Sequence, residues 1–262
     1  MLNELGGGGN MKLWRRPELL WRVVLVGILL LFGLIWLPPA DVPASSDLKM
    51  EVPRSGAGRK LAALTFDDGP HPDYTVPLLD GLKERGVRAT FFLVGTQIHY
   101  APELVSRMAQ EGHQIGVHTY SHVSVTGLER EEFRLQVEGT RRLIYSLIGE
   151  RELWLRPPYG ILDENTQRWA DGPVILWSVD PEDWKDDKVK RIREHLVSSV
   201  RDGDIILMHD IYPSSVEAAL AAVDELCQQG FRFVTVAELM EERGITPESG
   251  QVYKRVEAER RP

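Results

Sequence analysis

Five short clusters carry side chains that could do chemistry together: Asp67-Asp68, His118 with His122, Arg156 through Tyr159, Asp180 through Trp184, and His209-Asp210. Two histidines and a carboxylate can hold a divalent metal and leave positions open for water and substrate. His118 and His122 are four residues apart, a spacing that lets both face one way on a helical turn. A metal in such a set shifts water toward hydroxide near neutral pH, and a second carboxylate beside the ligand can accept the proton. The Asp67-Asp68 pair can supply one of each, because adjacent residues point in different directions. A nearby arginine such as Arg156 would fix the direction of the base. His209, backed by an acid that favours its charged form, suits proton donation to a leaving group.

Taken singly, these features are commonplace: an Asp pair after a strand is usually a turn or a helix cap, and a lone His there is usually structural. What changes their meaning is the set of elements that position them. Apolar runs predict strands at Leu61–Phe66, Ala89–Val94, Gln114–Val117, Leu153–Leu155, Val174–Ser178, Asp204–Met208 and Arg232–Thr235. Amphipathic stretches predict helices at Val76–Arg85, Pro102–Glu111, Glu129–Ile148, Glu164–Ala170, Asp187–Arg201, Ser214–Gln229 and Ala237–Arg243, with Gly86, Gly112, Gly149 and Gly230 as stop signals. Such alternation implies parallel strands with right-handed crossovers, as a barrel lacking one unit or an open doubly wound sheet. In these folds sites form at the C-terminal ends of the strands. All five clusters fall at predicted strand ends.

The rest of the 262 residues bounds the setting. A net charge of −8 argues against nucleic acid or anionic polymers as partners. One cysteine, Cys227, excludes an internal disulfide and a cysteine-held zinc. It sits in a helical pattern, as a small buried apolar residue would. Residues 1–22 form a basic N-terminal segment with Lys12, Arg15, Arg16 and Arg22. Residues 23–37, VVLVGILLLFGLIWL, read as a transmembrane anchor or the core of a signal sequence, with the N-terminus inside. The anchor reading places the domain outside the cytoplasmic membrane, held there by an N-terminal helix; Val42-Pro43-Ala44 leaves room for cleavage and secretion instead. Residues 38–58 read as a linker rich in Pro, Ser, Gly and Ala, 59–245 as the folded domain, and 246–262 as a polar, frayed tail.

The clusters, in order, resemble the polysaccharide deacetylase family with the NodB homology domain, also called carbohydrate esterase family 4. The matching segments are Thr65-Phe66-Asp67-Asp68-Gly69-Pro70, His118-Thr119-Tyr120-Ser121-His122, Arg156-Pro157-Pro158-Tyr159-Gly160, Asp180-Pro181-Glu182-Asp183-Trp184 and Leu207-Met208-His209-Asp210. The resemblance covers about residues 60–240. It implies a deformed seven-stranded (β/α) barrel, preceded here by one N-terminal hydrophobic helix. It makes Asp67 the general base and Asp68, His118 and His122 the ligands of a divalent metal, usually zinc. Arg156 would orient Asp67, and the Tyr159 backbone N–H would stabilise an oxyanion. Leu207 and Trp184 would line a pocket for the acetyl methyl, and His209 would be the acid, tuned by Asp183. Val117 and Leu155 depart from the Asn and Phe that many relatives carry there, a difference that bears on fine substrate preference.

The implied activity is hydrolysis of acetyl groups on a polysaccharide, most simply N-acetylglucosamine units of peptidoglycan or a chitin-like polymer, by a monomer. Alternatives are an O-acetyl, xylan-type esterase, a catalytically silent wall-binding module on the same fold, and an iron oxygenase with two His and one carboxylate. The last usually takes His-x-Asp or His-x-Glu on an antiparallel barrel. Outside the clusters, His99, His113 and His195 are expected at the surface, His71 in a solvated loop, and Trp154, Trp169 and Trp177 in the core. Asp210 could serve the site or cap a turn.

Overall fold

The computed structural model describes residues 60–257. The basic segment 1–22, the apolar run 23–37 and the linker 38–58 lie outside the described residues. Among the described residues no helix is long and apolar enough to cross a membrane.

The central strand is β1, Lys60–Asp67. Every residue after Lys60 is buried, as expected for a parallel strand covered on both faces. One edge pairs with β5, Asp204–His209, along the register Ala62↔Asp204 to Asp67↔His209. The other edge is shared, with β6 (Phe231–Val234) at its start and β2 (Thr90–Leu93) at its end. β2 pairs in turn with β3, Gln114–Val117. The ring continues through single bridges, Val117↔Leu155, Leu155↔Val174 and Val179↔Ile206, the last returning to β5. The result is an α/β barrel with one ladder-built side and one side stitched by isolated bridges.

Eight helices among the described residues wrap it: α1 Thr75–Glu84, α2 Gly95–Ile98, α3 Pro102–Gln110, α4 Arg130–Ile148, α5 Glu164–Trp169, α6 Val189–Ser199, α7 Pro213–Gln228 and α8 Val236–Glu242. Local chemistry sets their ends. Glu129 and Glu132 form a capping box at the start of α4, and Thr235 with Glu238 does the same for α8. All four stop glycines lie at left-handed φ.

Strand alternation sorts side chains between two cores. Ala62, Leu64 and Phe66 of β1 face the helices. Leu61 and Ala63 face the barrel interior with Phe92, Trp154, Ile175 and Ile205. Continuing the same period puts Thr65 and Asp67 of β1, and Leu207 and His209 of β5, on the interior face toward one rim. The register then sets Thr65 beside Leu207 and Asp67 beside His209.

Two expected strands are mostly absent as ladders. Leu153–Leu155 reduces to the bridge at Leu155, and Val174–Ser178 to β4, Val174–Ile175. The expected frayed tail is corrected: β7, Val252–Tyr253, pairs with β4, and Val256 is fully buried. Two residues are too few to leave a periodic signal. The tail passes so close to Gly203, φ 86°, that a Cβ there would strike the Val256 carbonyl.

Candidate active site

Asp67 and Arg156 form the buried foundation of the site. Arg156 is fully buried, and its Nη1 donates to Asp67 Oδ1 at 2.7 Å and Thr65 Oγ1 at 2.6 Å. Its Nε and Nη2 donate to the carbonyls of Ile175 and Leu176, each at 3.1 Å. Thr65 Oγ1 donates onward to the Ile206 carbonyl. The guanidinium carbon stands 4.1 Å from the centre of the Phe92 ring and 5.6 Å from that of Trp177. Gly116 leaves the space that the Phe92 ring fills. Burial pulls the guanidinium below its ordinary value, against the pull of Asp67.

Asp68 turns the other way, with φ 73°. Its Oδ1 lies 3.4 Å from His118 Nε2 and 3.1 Å from His122 Nε2. His118 Nδ1 is 2.7 Å from the Arg156 carbonyl oxygen, which can only accept. Nδ1 therefore carries the hydrogen, and in the neutral ring Nε2 presents its lone pair to Asp68. Burial alone would raise the Asp68 carboxyl, but the two imidazoles outweigh it and hold it well below the usual carboxylate range. His122 is raised, chiefly by the adjacent Asp68 carboxylate.

These three residues fit a divalent ion. Their ligand atoms lie within 4.8 Å of one another, and tetrahedral ligands of a zinc ion stand about 3.4 Å apart. Asp68 Oδ1 is buried and without a hydrogen-bond partner, as a donor atom awaiting a cation would be. The nitrogen and oxygen donors are those that zinc and its divalent neighbours take.

The expected geometry of the histidine pair needs correction. His118 and His122 do not share a helical turn; the segment between them is irregular, with Thr119 at φ 62° and His122 at φ 53°. Their approach comes from the loop's fold, not from a period of 3.6.

On the neighbouring strand end, Asp183 grips His209 twice. Its Oδ1 lies 2.8 Å from Nδ1, and its Oδ2 accepts the His209 backbone N–H at 2.8 Å. His209 is pushed up to about 9: burial opposes the charged ring, but Asp183, with Asp67 and Asp68 beyond it, outweighs that. Asp210 points away from the cavity. It is fully buried, takes a hydrogen bond from Thr75 Oγ1, and is pushed up to about 7 by burial.

One cavity of about 390 Å³ collects the predicted residues. Asp67, Asp68, His118, His122, Tyr159, Trp184, Leu207 and His209 line it; Arg156 and Asp183 stand behind Asp67 and His209. Tyr159, at φ 63° in the 3-10 turn Pro158–Gly160, is largely exposed beside the His122 ring. Trp177 and Asp180 also line the cavity and had no assigned role in the sequence. Trp177 follows an apolar run and looked like core. Asp180 lies in a quoted segment, but nothing in that segment told it from Asp183. Its carboxyl is raised by burial, and one oxygen accepts the Glu182 N–H. Trp154 is buried as expected, whereas His113, expected at the surface, is buried against Phe91, and Cys227, expected to be buried, lies exposed on α7.

Fold and site together define an α/β barrel with a candidate Asp-His-His metal centre at its C-terminal rim. The sequence signature described as "Polysaccharide deacetylase" matches residues 54–171, and the chain belongs to the polysaccharide deacetylase family. It is 42% identical over 183 residues to the peptidoglycan-N-acetylmuramic acid deacetylase PdaC of Bacillus subtilis, covering 70% of this chain and 39% of PdaC. It is 38% identical over 198 residues to a peptidoglycan-N-acetylglucosamine deacetylase of Bacillus cereus, covering 72% of this chain and 91% of that protein. A solved structure described as T48 deacetylase with substrate superposes with a TM-score of 0.72 at 39% identity, covering 75% of this chain and 97% of the other. The chain thus spans about two fifths of the length of PdaC.

Proposed function

We propose that this domain hydrolyses acetyl groups on a polysaccharide, with N-acetylated sugars of peptidoglycan as the first candidate substrate. The observation that carries this is the arrangement around one cavity of an arginine-held carboxylate, an Asp-His-His ligand set and an Asp-backed histidine. Asp68, His118 and His122 would hold a divalent ion, zinc in the first instance, and the ion would supply Lewis-acid activation of water and of the acetyl carbonyl.

The chain's own groups do the rest. Asp67, fixed by Arg156 and 3.7 Å from His118 Nε2, accepts the proton of the attacking water. The Tyr159 backbone N–H offers a hydrogen bond to the carbonyl oxygen as it gains charge. Trp184 and Leu207 flank the space for the acetyl methyl. His209, kept protonated by Asp183, gives its proton to the leaving nitrogen, so acetate and a free amine depart. The names of the two bacterial relatives support peptidoglycan as substrate. The apolar run 23–37 supports action outside the cytoplasmic membrane, with that run as anchor.

The test is acetate release by the full chain from peptidoglycan, chitin oligomers and acetylxylan, with zinc-loaded, chelated and Asp67→Asn protein. The expected outcome is zinc-dependent release from an N-acetylated polymer, reduced at least about 100-fold in the variant. Release from acetylxylan alone would make it an O-acetyl esterase. No release from zinc-loaded, folded protein would favour a binding module.

A further inference from the structure

The turn Thr119–Ser121 joins two proposed metal ligands but belongs to no helix or strand. Its backbone polar groups therefore need partners from elsewhere. From one side the start of α2 supplies two: Gly95 N–H donates to the Thr119 carbonyl at 3.0 Å, and Thr96 N–H to the Tyr120 carbonyl at 2.8 Å. From the other side a single side chain of α4 supplies the complement. Gln136 Oε1 accepts the backbone N–H of Tyr120 and of Ser121, each at 3.0 Å, and its Nε2 donates to Ser121 Oγ at 3.0 Å.

Gln136 is itself well placed to act as a fixed post. It sits inside a 19-residue helix whose neighbouring Phe133 and Val137 are buried in the core. The two ligands depend on it unequally. His118 is buried, its N–H bonded to the Leu93 carbonyl and its ring to the Arg156 carbonyl. His122 is partly exposed, at a left-handed φ directly after the segment that Gln136 grips, and its ring stands against Asp68 and the rings of His118 and Tyr159.

We propose that Gln136 is a positioning residue for the metal centre, clamping the turn between the histidines so that His122 meets Asp68 and His118. The proposal rests on the metal-centre reading above. Groups that orient ligands from behind commonly change metal affinity about 10–100-fold when removed.

The experiment measures zinc affinity of the full chain, stripped of metal, by competition with a chromophoric chelator, alongside the melting temperature of the metal-free protein. Gln136→Leu should weaken zinc binding about 10–100-fold. Gln136→Glu, which keeps an acceptor in reach of both N–H groups, should stay within about threefold of wild type, with both metal-free variants melting close to it. Adding Gln136→Leu to His122→Ala should cost little beyond His122→Ala alone, because both act through one ligand. Equal affinity of Gln136→Leu and wild type, an equal loss in the Glu variant, or additive losses in the double variant would overturn the proposal. If the Leu variant does not fold, Gln136→Asn, which withdraws the same amide by one methylene, takes its place with the same expected loss. Wild-type protein that binds no zinc would overturn the metal-centre reading and the proposal with it.

Discussion

The two sides of the barrel reach the same rim by different means. On the β5-β1-β2-β3 side, continuous parallel ladders fix each residue against its neighbour, and Asp67 lands beside His209 because the register puts it there. On the side of residues 153–179, pairing falls to single bridges and a two-residue strand. There the Arg156 guanidinium donates to the Ile175 and Leu176 carbonyls, doing with a side chain what ladder N–H groups do elsewhere. The difference teaches that Arg156 serves two purposes at once, orienting a carboxylate and holding the weak side of the barrel to β1.

The most severe way to break this contrast is Arg156→Met. It leaves Asp67 as a buried charge without its partner and two carbonyls without donors, so stability should fall by about 3–5 kcal/mol. Urea denaturation measures it, and a loss below about 1 kcal/mol would mean that the weak side does not depend on the side chain.

The ladder side should show its own weakness in acid. Burial pushes His113 down to about 4, and its Nδ1 accepts the Ala89 N–H at 3.0 Å. The unfolded ring titrates near 6.5. Between these values the unfolded chain binds the extra proton, so stability is intact above about pH 6.5 and falls as pH drops toward 4, by up to about 3 kcal/mol. His113→Gln should flatten that slope in denaturation curves across the range. An unchanged slope would assign the acid sensitivity to other groups.

Asp183 spans the contrast, since it comes from the bridged side and holds His209 on β5. If His209 must be protonated to donate, Asp183→Asn lowers its pKa and moves the alkaline limb of kcat/KM down by about one to two pH units. An unmoved limb would separate that limb from His209.

The smallest effect expected is at Gly160, φ 65°, where a Cβ would stand 2.6 Å from the Trp177 ring. Gly160→Ala should cost about 1–2 kcal/mol through its left-handed backbone and the crowded ring. A melting temperature equal to wild type would show that Trp177 moves freely and does not brace Arg156.

Much of this was legible in the sequence, for identifiable reasons. β1 and β5 were readable because long buried runs bounded by turn residues leave a clear pattern. Seven of the eight helices among the described residues were readable from their period, four of them with stop glycines as well; α2, Gly95–Ile98, was not, because four residues are too few to show a helical period. β4 was legible as a strand but expected longer, over Val174–Ser178; β7 was not legible, because two residues make no period, and the tail residues Val252 and Val256 sit among charged and polar neighbours. The frame of the site was readable because every cluster follows a predicted strand, even where the structure keeps only a bridge there. Trp177 and Asp180 were not assigned to it, since neither residue type nor spacing says which face of an irregular segment meets a cavity.

By itself the sequence determined which side chains stand at the strand ends, because alternation along β1 and β5 leaves Asp67 and His209 no other face. Tertiary structure alone decided how His118 and His122 come together. Their four-residue spacing suggested a helical turn, yet the backbone takes left-handed steps at Thr119 and His122. Those steps persist because α2 and Gln136, brought there by packing, satisfy the groups that a helix would have satisfied from within.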